Sequence, residues 1–296
     1  MIWVIGGSGM LGHTLTALLK NNSQPFIATD MEVDITDNNA LENFYTQQED
    51  INWIVNCSAY TNVDLAEDEK EAAFLINETG VANIGQLAAS HDIPVIHIST
   101  DYVFPGNISI PRKEDDPTGP EGIYGQSKLA GEEKLRLICK KHFILRTAWL
   151  YGLHGKNFVK TMLRLFSEKE QLEIVNDQTG SPTWTNGLAD AVFSIIKSNN
   201  PAYGTYHYSD EGSTTWMGFA EEIQKLGKTL GLVPGITNIL PVSSDRFPSK
   251  VKRPAYSLLN KAKICSTFNI QINTWQSNLQ RYLEEEKNHA SIVGTH

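Results

Sequence analysis

A four-residue apolar run, Ile2-Trp3-Val4-Ile5, leads directly into Gly6-Gly7-Ser8-Gly9-Met10-Leu11-Gly12. A continuous apolar run this short predicts a strand buried on both faces, as in a parallel sheet covered by helices. Gly6, Gly9 and Gly12 give the spacing G-x-x-G-x-x-G, and the stretch to about Asn21 is predicted to be helical. In that order, the glycines provide a tight turn, a close approach to the backbone and close helix–strand packing. The helix N-terminus then faces whatever approaches, and its free amides favour an anion such as a dinucleotide pyrophosphate. Gly6, Gly9, Met10, Leu11 and Gly12 are therefore candidate cofactor contacts.

The pattern continues downstream. Pro25–Thr29, Trp53–Asn56, Pro94–Ser99 and Phe143–Thr147 read as further strands, separated by helical stretches at 37–49, 72–90 and 124–141. Such alternation predicts an α/β fold with a doubly wound parallel (Rossmann-type) sheet over residues 1–150. From about Trp149 the rhythm changes. Helices are predicted at 156–168, 184–199, 215–230 and 272–287, with strands near 172–176, 205–208 and 236–240. Residues 151–296 are expected to form mainly a smaller C-terminal substrate lobe, with some segments free to return to the first domain. The last eight or so residues are expected to fray.

Ligands in open parallel sheets lie outside the carboxyl ends of the strands. Asp30, at the end of the second strand, is spaced to bind adenosine ribose hydroxyls and so favours NAD, although a turn aspartate would look the same. Asp34 and Ile35 lie where they would flank the adenine. Ala59, Tyr60 and Thr61 follow the third strand and are candidate cofactor contacts. Asn77 reads equally as a buried polar group near the site or as a surface residue. His97, inside the fourth strand, reads as a satisfied core histidine.

Thr100-Asp101-Tyr102 ends the fourth strand, and a long Pro- and Gly-rich loop follows to residue 123. Tyr124 and Lys128 come next, four apart, a spacing that puts both side chains on one helix face. A free phenol has a pKa of about 10, and a nearby ammonium lowers it. The pair therefore makes a candidate general acid/base that gives a proton to a forming alkoxide. Thr100 would hold the same oxygen. Tyr-x-x-x-Lys alone is a weak motif; its position after a nucleotide loop and a hydroxyl-rich strand end gives it meaning.

With 296 residues, 41% hydrophobic and 20% charged, the chain can build a sizeable core. A net charge of -9 with no dense basic cluster argues against nucleic acid as a partner. Cys57, Cys139 and Cys265 are far apart, form no metal or redox motif and read as reduced thiols. No metal site is expected. No leader precedes the first strand and no apolar run reaches membrane length, so a cytoplasmic protein is expected, with no membrane partner.

The glycine loop and Tyr124-x-x-x-Lys128 together resemble the extended short-chain dehydrogenase/reductases. Within that family, the chain is similar to the dTDP-4-dehydrorhamnose reductase branch through six strings: Asn56–Asp64, Ser99–Gly106, Tyr124–Glu132, Arg146–Tyr151, Asn176–Thr183 and Arg253-Pro254. The likeness runs from residue 1 to about 285, and the Ser99–Gly106 string is its most specific part. It implies hydride transfer from NADPH or NADH to the 4-keto carbon of a dTDP-sugar. Tyr124 would be the acid, with Lys128 lowering its pKa and holding the nicotinamide ribose. Thr100 would orient the carbonyl, and Asp101, Tyr102, Trp149 and Arg253 would line the substrate site. The resemblance also implies that Asp30 need not restrict the enzyme to NADH. Some members dimerise through magnesium held by glutamates, one early in the first helix. Here that stretch is His13-Thr14-Leu15, so a magnesium bridge is not expected, and a homodimer is left open.

Two rival readings remain at this level. One is another nucleotide-sugar reductase or epimerase on the same scaffold. The other is a non-catalytic regulatory relative, against which the Thr100, Tyr124 and Lys128 set argues.

Overall fold

The structure, a computed structural model, describes the backbone of residues 1–293 and the side chains of residues 1–289. The first half alternates strands with helical segments: β1 (Ile2–Ile5), α1 (Met10–Asn21), β2 (Phe26–Thr29), α2 (Asn38–Thr46), β3 (Trp53–Asn56), the pair α3 (Lys70–Phe74) and α4 (Val81–Ser90), β4 (Val95–Thr100), α5 (Ile123–Ile138) and β5 (His142–Thr147). The second half has shorter strands: β6 (Leu150–Tyr151), α6 (Phe158–Glu168), β7 (Gln171–Val175), β8 (Thr179–Gly180), β9 (Thr183–Trp184), α7 (Thr185–Ser198), β10 (Gly204–His207), β11 (Thr214–Thr215), α8 (Trp216–Leu230), β12 (Asn238–Val242), α9 (Ala262–Phe268) and α10 (Trp275–Val293).

Six strands form one parallel sheet in the order β2-β1-β3-β4-β5-β10. The order reverses at β1, where β2 lies on one side and β3 on the other, so a crevice opens above β1. β1 shows why the apolar run is unbroken: Ile2 and Val4 enter the core beneath α1 and α7, while Trp3 and Ile5 enter the core beneath α2, α4 and α5. Burying each such side chain stabilises the fold by about 1.5–3 kcal/mol. A third core joins β6, β7 and β9 to α6, α8 and α10.

Several predicted elements change in detail. The stretch predicted as one helix over 72–90 is broken by a π turn at Leu75–Gly80 between α3 and α4. The strand predicted near 205–208 is β10, which leaves the C-terminal block to pair with β5. It does so because α7 turns its apolar face onto the core under α1, bringing the chain back to the sheet edge. α9 was not foreseen; its seven residues are too few for a clear period. Residues 289–293, part of the expected frayed end, continue α10; the remainder of that expectation lies outside the described residues. Among the described residues, no helix is long and apolar enough to cross a membrane.

Candidate active site

The glycine cradle sits at the carboxyl end of β1. Gly6 has φ +80° and its N–H bonds to Thr29 O at 2.8 Å. A Cβ on Gly12 would fall 2.1 Å from Gly6 O, so only glycine lets α1 approach the turn this closely. Gly9 caps α1 without a side-chain bond, and no acid lies in the first turn, so the leading amides are offered to an anion. Asp30 lies beside the cradle, its Oδ2 accepting Ser8 N–H at 2.8 Å. It thus fixes the loop as well as presenting a carboxylate. Asp34 takes both Thr36 N–H and the Thr36 hydroxyl at 2.8 Å, while Ile35 turns its side chain into the core.

After β3, the Tyr60 peptide is gripped on both sides by buried Asn77. Its Oδ1 accepts Tyr60 N–H at 2.9 Å and its Nδ2 donates to Tyr60 O at 3.1 Å. The same Nδ2 donates to Ser127 Oγ at 3.0 Å on α5. Asn77 is thus a buried polar group that ties the Ala59–Thr61 segment to the tyrosine helix; Thr61 itself is exposed. The π turn puts Asn77 there, and Gly131 makes room for it, since a Cβ at 131 would lie 2.0 Å from Asn77 O.

At the end of β4, Thr100 Oγ1 donates to Asp101 Oδ1 at 3.0 Å and accepts Tyr102 N–H at 3.2 Å. Burial pushes the Asp101 carboxyl up to about 6. The Thr100 hydroxyl acts on the Tyr124 phenol, and the Tyr102 ring stands edge-on to Tyr124 at 5.5 Å. Burial pushes the Tyr124 phenol up to about 12; Thr100 opposes this and the Asp101 charge adds to it. The lowering expected from Lys128 does not appear: the phenol answers to its burial, to Thr100 and to Asp101, and the balance is upward. Lys128, one turn on, is buried and donates to Ile98 O at 2.7 Å. Burial brings its ammonium down to about 8, against the opposing pull of Glu132 and Cys57.

Behind Lys128 lies a buried ion pair between Glu132 and Arg146. Arg146 Nε and Nη2 meet the carboxylate at 2.9 and 2.7 Å, Ser99 donates to it at 2.5 Å, and Arg136 also binds it. Burial pushes the Glu132 carboxyl up, but the Arg146 hydrogen bond and the arginine charges hold it below the usual range. Reading residues one at a time gave this pair no role; its only trace was that both lie in the strings around Tyr124 and Trp149.

The C-terminal side supplies Trp149, in a left-handed conformation (φ +46°) and stacked on Trp216 at 3.5 Å and 7°. Trp216 was not foreseen, since it opens a helix with no motif around it. Gln178 accepts its indole N–H at 3.1 Å. Arg253 Nη2 pairs with Asp64 Oδ2 at 2.9 Å. A cleft of about 1110 Å³ runs from there between α6, β7 and the strap 244–255. Its lining holds Asp64, Arg253, Gln178 and Trp216 but neither the Tyr124–Lys128 pair nor the glycine loop; it meets the reactive end at Arg253 and at the tryptophan stack. Among the described residues, no group of three His, Cys, Asp or Glu could hold a metal ion.

Residues 1–288 match the family model described as RmlD substrate binding domain. The chain is 42% identical over 235 residues to a dTDP-4-dehydrorhamnose reductase of Escherichia coli (strain K12), covering 78% of this chain and 79% of that one. It is 40% identical over 286 residues to the spore coat polysaccharide biosynthesis protein SpsK of Bacillus subtilis (strain 168), covering 96% and 97%. Among solved structures, it is similar to the dTDP-4-dehydrorhamnose reductase of Bacillus anthracis str. Ames in complex with NADP, with TM-score 0.90, 35% identity and 96% and 98% of the two chains covered.

Proposed function

Since the chain belongs to the RmlD substrate binding domain family, we propose that it reduces the 4-keto group of dTDP-4-dehydro-L-rhamnose, with NADPH or NADH, to give dTDP-L-rhamnose. The observation that carries this reading is the meeting of Thr100, Tyr124 and buried Lys128 beside the glycine cradle. A nicotinamide cofactor fits the cradle, because the uncapped amides of α1 suit its pyrophosphate and the close Gly6–Gly12 approach leaves the backbone accessible. When bound, it supplies the hydride.

The chain's own residues do the rest. Gly6, Gly9, Met10, Leu11 and Gly12 would hold the phosphates, Asp30 would meet the adenosine ribose, and Ala59–Thr61 and Lys128 would line the remainder. Tyr124 gives its phenolic proton to the carbonyl oxygen as that oxygen gains charge. Thr100 orients the same oxygen. A phenol at about 12 remains protonated at neutral pH and so serves as the acid. Arg253 suits the sugar diphosphate, since its planar fork binds two oxygens at once, and the diphosphate would compete with Asp64 for it. Trp149 and Tyr102 wall the sugar. The cleft that Trp216 and Gln178 help line offers the nucleotide room to extend.

The test is a coupled incubation with NADH or NADPH, dTDP-4-dehydro-6-deoxy-glucose and a 3,5-epimerase. Loss of reduced-nicotinamide absorbance is followed, and the product is identified by NMR. Oxidation that needs the epimerase and yields dTDP-L-rhamnose is expected. The 4-epimer would keep the chemistry and change the product; no oxidation with either cofactor would overturn the reading.

A further inference from the structure

Three buried side chains in a row stand behind the reactive end: Asn56 ending β3, His97 inside β4 and Lys128 on α5. Asn56 Oδ1 accepts the Ser58 N–H at 3.0 Å and the Ser58 hydroxyl at 2.6 Å. A backbone N–H only donates, so the atom facing it must be the amide oxygen. Asn56 Nδ2 then faces His97 Nδ1 at 3.1 Å and can only donate to it. His97 Nδ1 is therefore the bare, accepting nitrogen. Burial keeps the ring well below the usual imidazole range, and the Lys128 and Arg136 charges act the same way, so it is neutral. A neutral ring carries one proton, and only Nε2 remains to hold it. Nε2 faces Lys128 Nζ at 3.5 Å.

An N–H aimed at an ammonium repels it; aimed at a free amine, it becomes a hydrogen bond. We propose that His97, locked by Asn56 as the Nε2–H tautomer, is a positioning residue that biases Lys128 toward its neutral amine and so readies it to pass a proton to Tyr124. The passing step rests on the reductase reading. Tyr124 gives its proton to the substrate oxygen, the phenolate takes one from the Lys128 ammonium, and the resulting amine takes one from solvent. The bias itself does not rest on that reading.

The other groups facing Lys128 do not produce this bias. Cys57, from the end of β3, is pushed up to about 12 by burial and is a neutral thiol. Glu132, from α5, favours the ammonium, but its carboxylate is already engaged by Arg146 of β5, by Arg136 and by Ser99. Tyr124, on the same helix, is a neutral phenol, and Asp101 beyond β4 acts on that phenol. Ile98 O accepts from Nζ and holds the nitrogen in place. Burial lowers the Lys128 ammonium in any case; His97 adds a directional effect that a variant can remove.

The experiment uses the full chain labelled with ¹⁵N-histidine and ¹³Cε-lysine. In the wild type, His97 Nδ1 should give a pyridine-like and Nε2 a pyrrole-like ¹⁵N shift. His97→Phe removes the donor. Asn56→Ala releases the tautomer, so that the ring can turn its bare nitrogen to the ammonium. Each should raise the Lys128 titration midpoint by roughly one pH unit, and the double variant no further. The alkaline limb of the kcat profile should move up with it. If His97→Phe does not fold, Asn56→Ala carries the test through both spectra. A pyrrole-like Nδ1 in the wild type, or a Lys128 midpoint unmoved in the folded variants, overturns the proposal. Absence of turnover with these spectra intact would overturn the reductase reading alone.

Discussion

At the scale of single residues, Tyr124 is the group on which the proposed chemistry turns. Tyr124→Phe keeps the ring and its edge-on contact with Tyr102 but removes the proton. Steady-state kinetics should show kcat falling by about 10²–10⁴, with cofactor binding by fluorescence titration unchanged; retained turnover would remove Tyr124 from the acid role. Asp30 presents a second local test. In the proposed cofactor site its carboxylate would repel an adenosine 2′-phosphate, and it also holds the Ser8 amide. Asp30→Ser keeps an acceptor for that amide and removes the charge, so kcat/KM for NADPH relative to NADH should rise about tenfold. Both proposed roles can be drawn from the sequence because they rest on spacings along the chain. Asn77 was not, since nothing near it in the chain says that its amide will close on Tyr60.

At the scale of elements, α5 is the part that the rest must place. It carries Tyr124 and Lys128 and is held by Ser127 to Asn77, by Gly131 against the π turn and by Glu132 to Arg146. Gly131→Ala would drive its new methyl into the Asn77 carbonyl, so α5 or the π turn must shift. A loss of about 1–3 kcal/mol in denaturant unfolding is expected, with kcat lowered although no reacting group is touched. Glu132→Gln leaves Arg146 buried without its charge partner. About 3–5 kcal/mol of stability should go, seen as a lower denaturation midpoint; an unchanged midpoint would mean that the arginine finds another partner. The helix itself was legible over 124–141, but its end at Ile138 and the partners that aim it were not.

At the scale of the whole molecule, Asp210 marks the junction of the core under the large sheet with the core of α6, α8 and α10. It is fully buried, accepts Trp184 N–H at 3.1 Å, and lies between the core that holds Tyr208 and the core that holds Trp184. Burial pushes its carboxyl up to about 7 from 3.8. Between those values the folded chain holds a proton that the unfolded chain has lost, so this group makes stability fall as pH rises from about 4 to 7. Buried His207, brought down to about 3 mainly by burial, works the other way: stability falls as pH drops below about 6.5. The two slopes oppose each other in the wild type. Asp210→Asn removes one of them, so its stability relative to wild type should improve by about 1.4 kcal/mol per pH unit between pH 4 and 7. Urea unfolding at several pH values reads this directly; a pH-independent difference would mean that Asp210 is ionised throughout.

The sequence by itself determined the strand–glycine–helix opening, the alternation that makes a parallel sheet and the facing of Tyr124 and Lys128. Each depends on backbone sterics and periodicity within a few residues, so local order suffices. Only the tertiary structure decided that β10 returns to the sheet, that Trp149 meets Trp216, that Asn56 selects the His97 tautomer and that Arg253 meets Asp64 189 residues away. Those pairings follow from which apolar faces find cover and which buried polar groups find partners. Both are settled by the packed whole, because the penalty for leaving either unmet arises only once water is excluded.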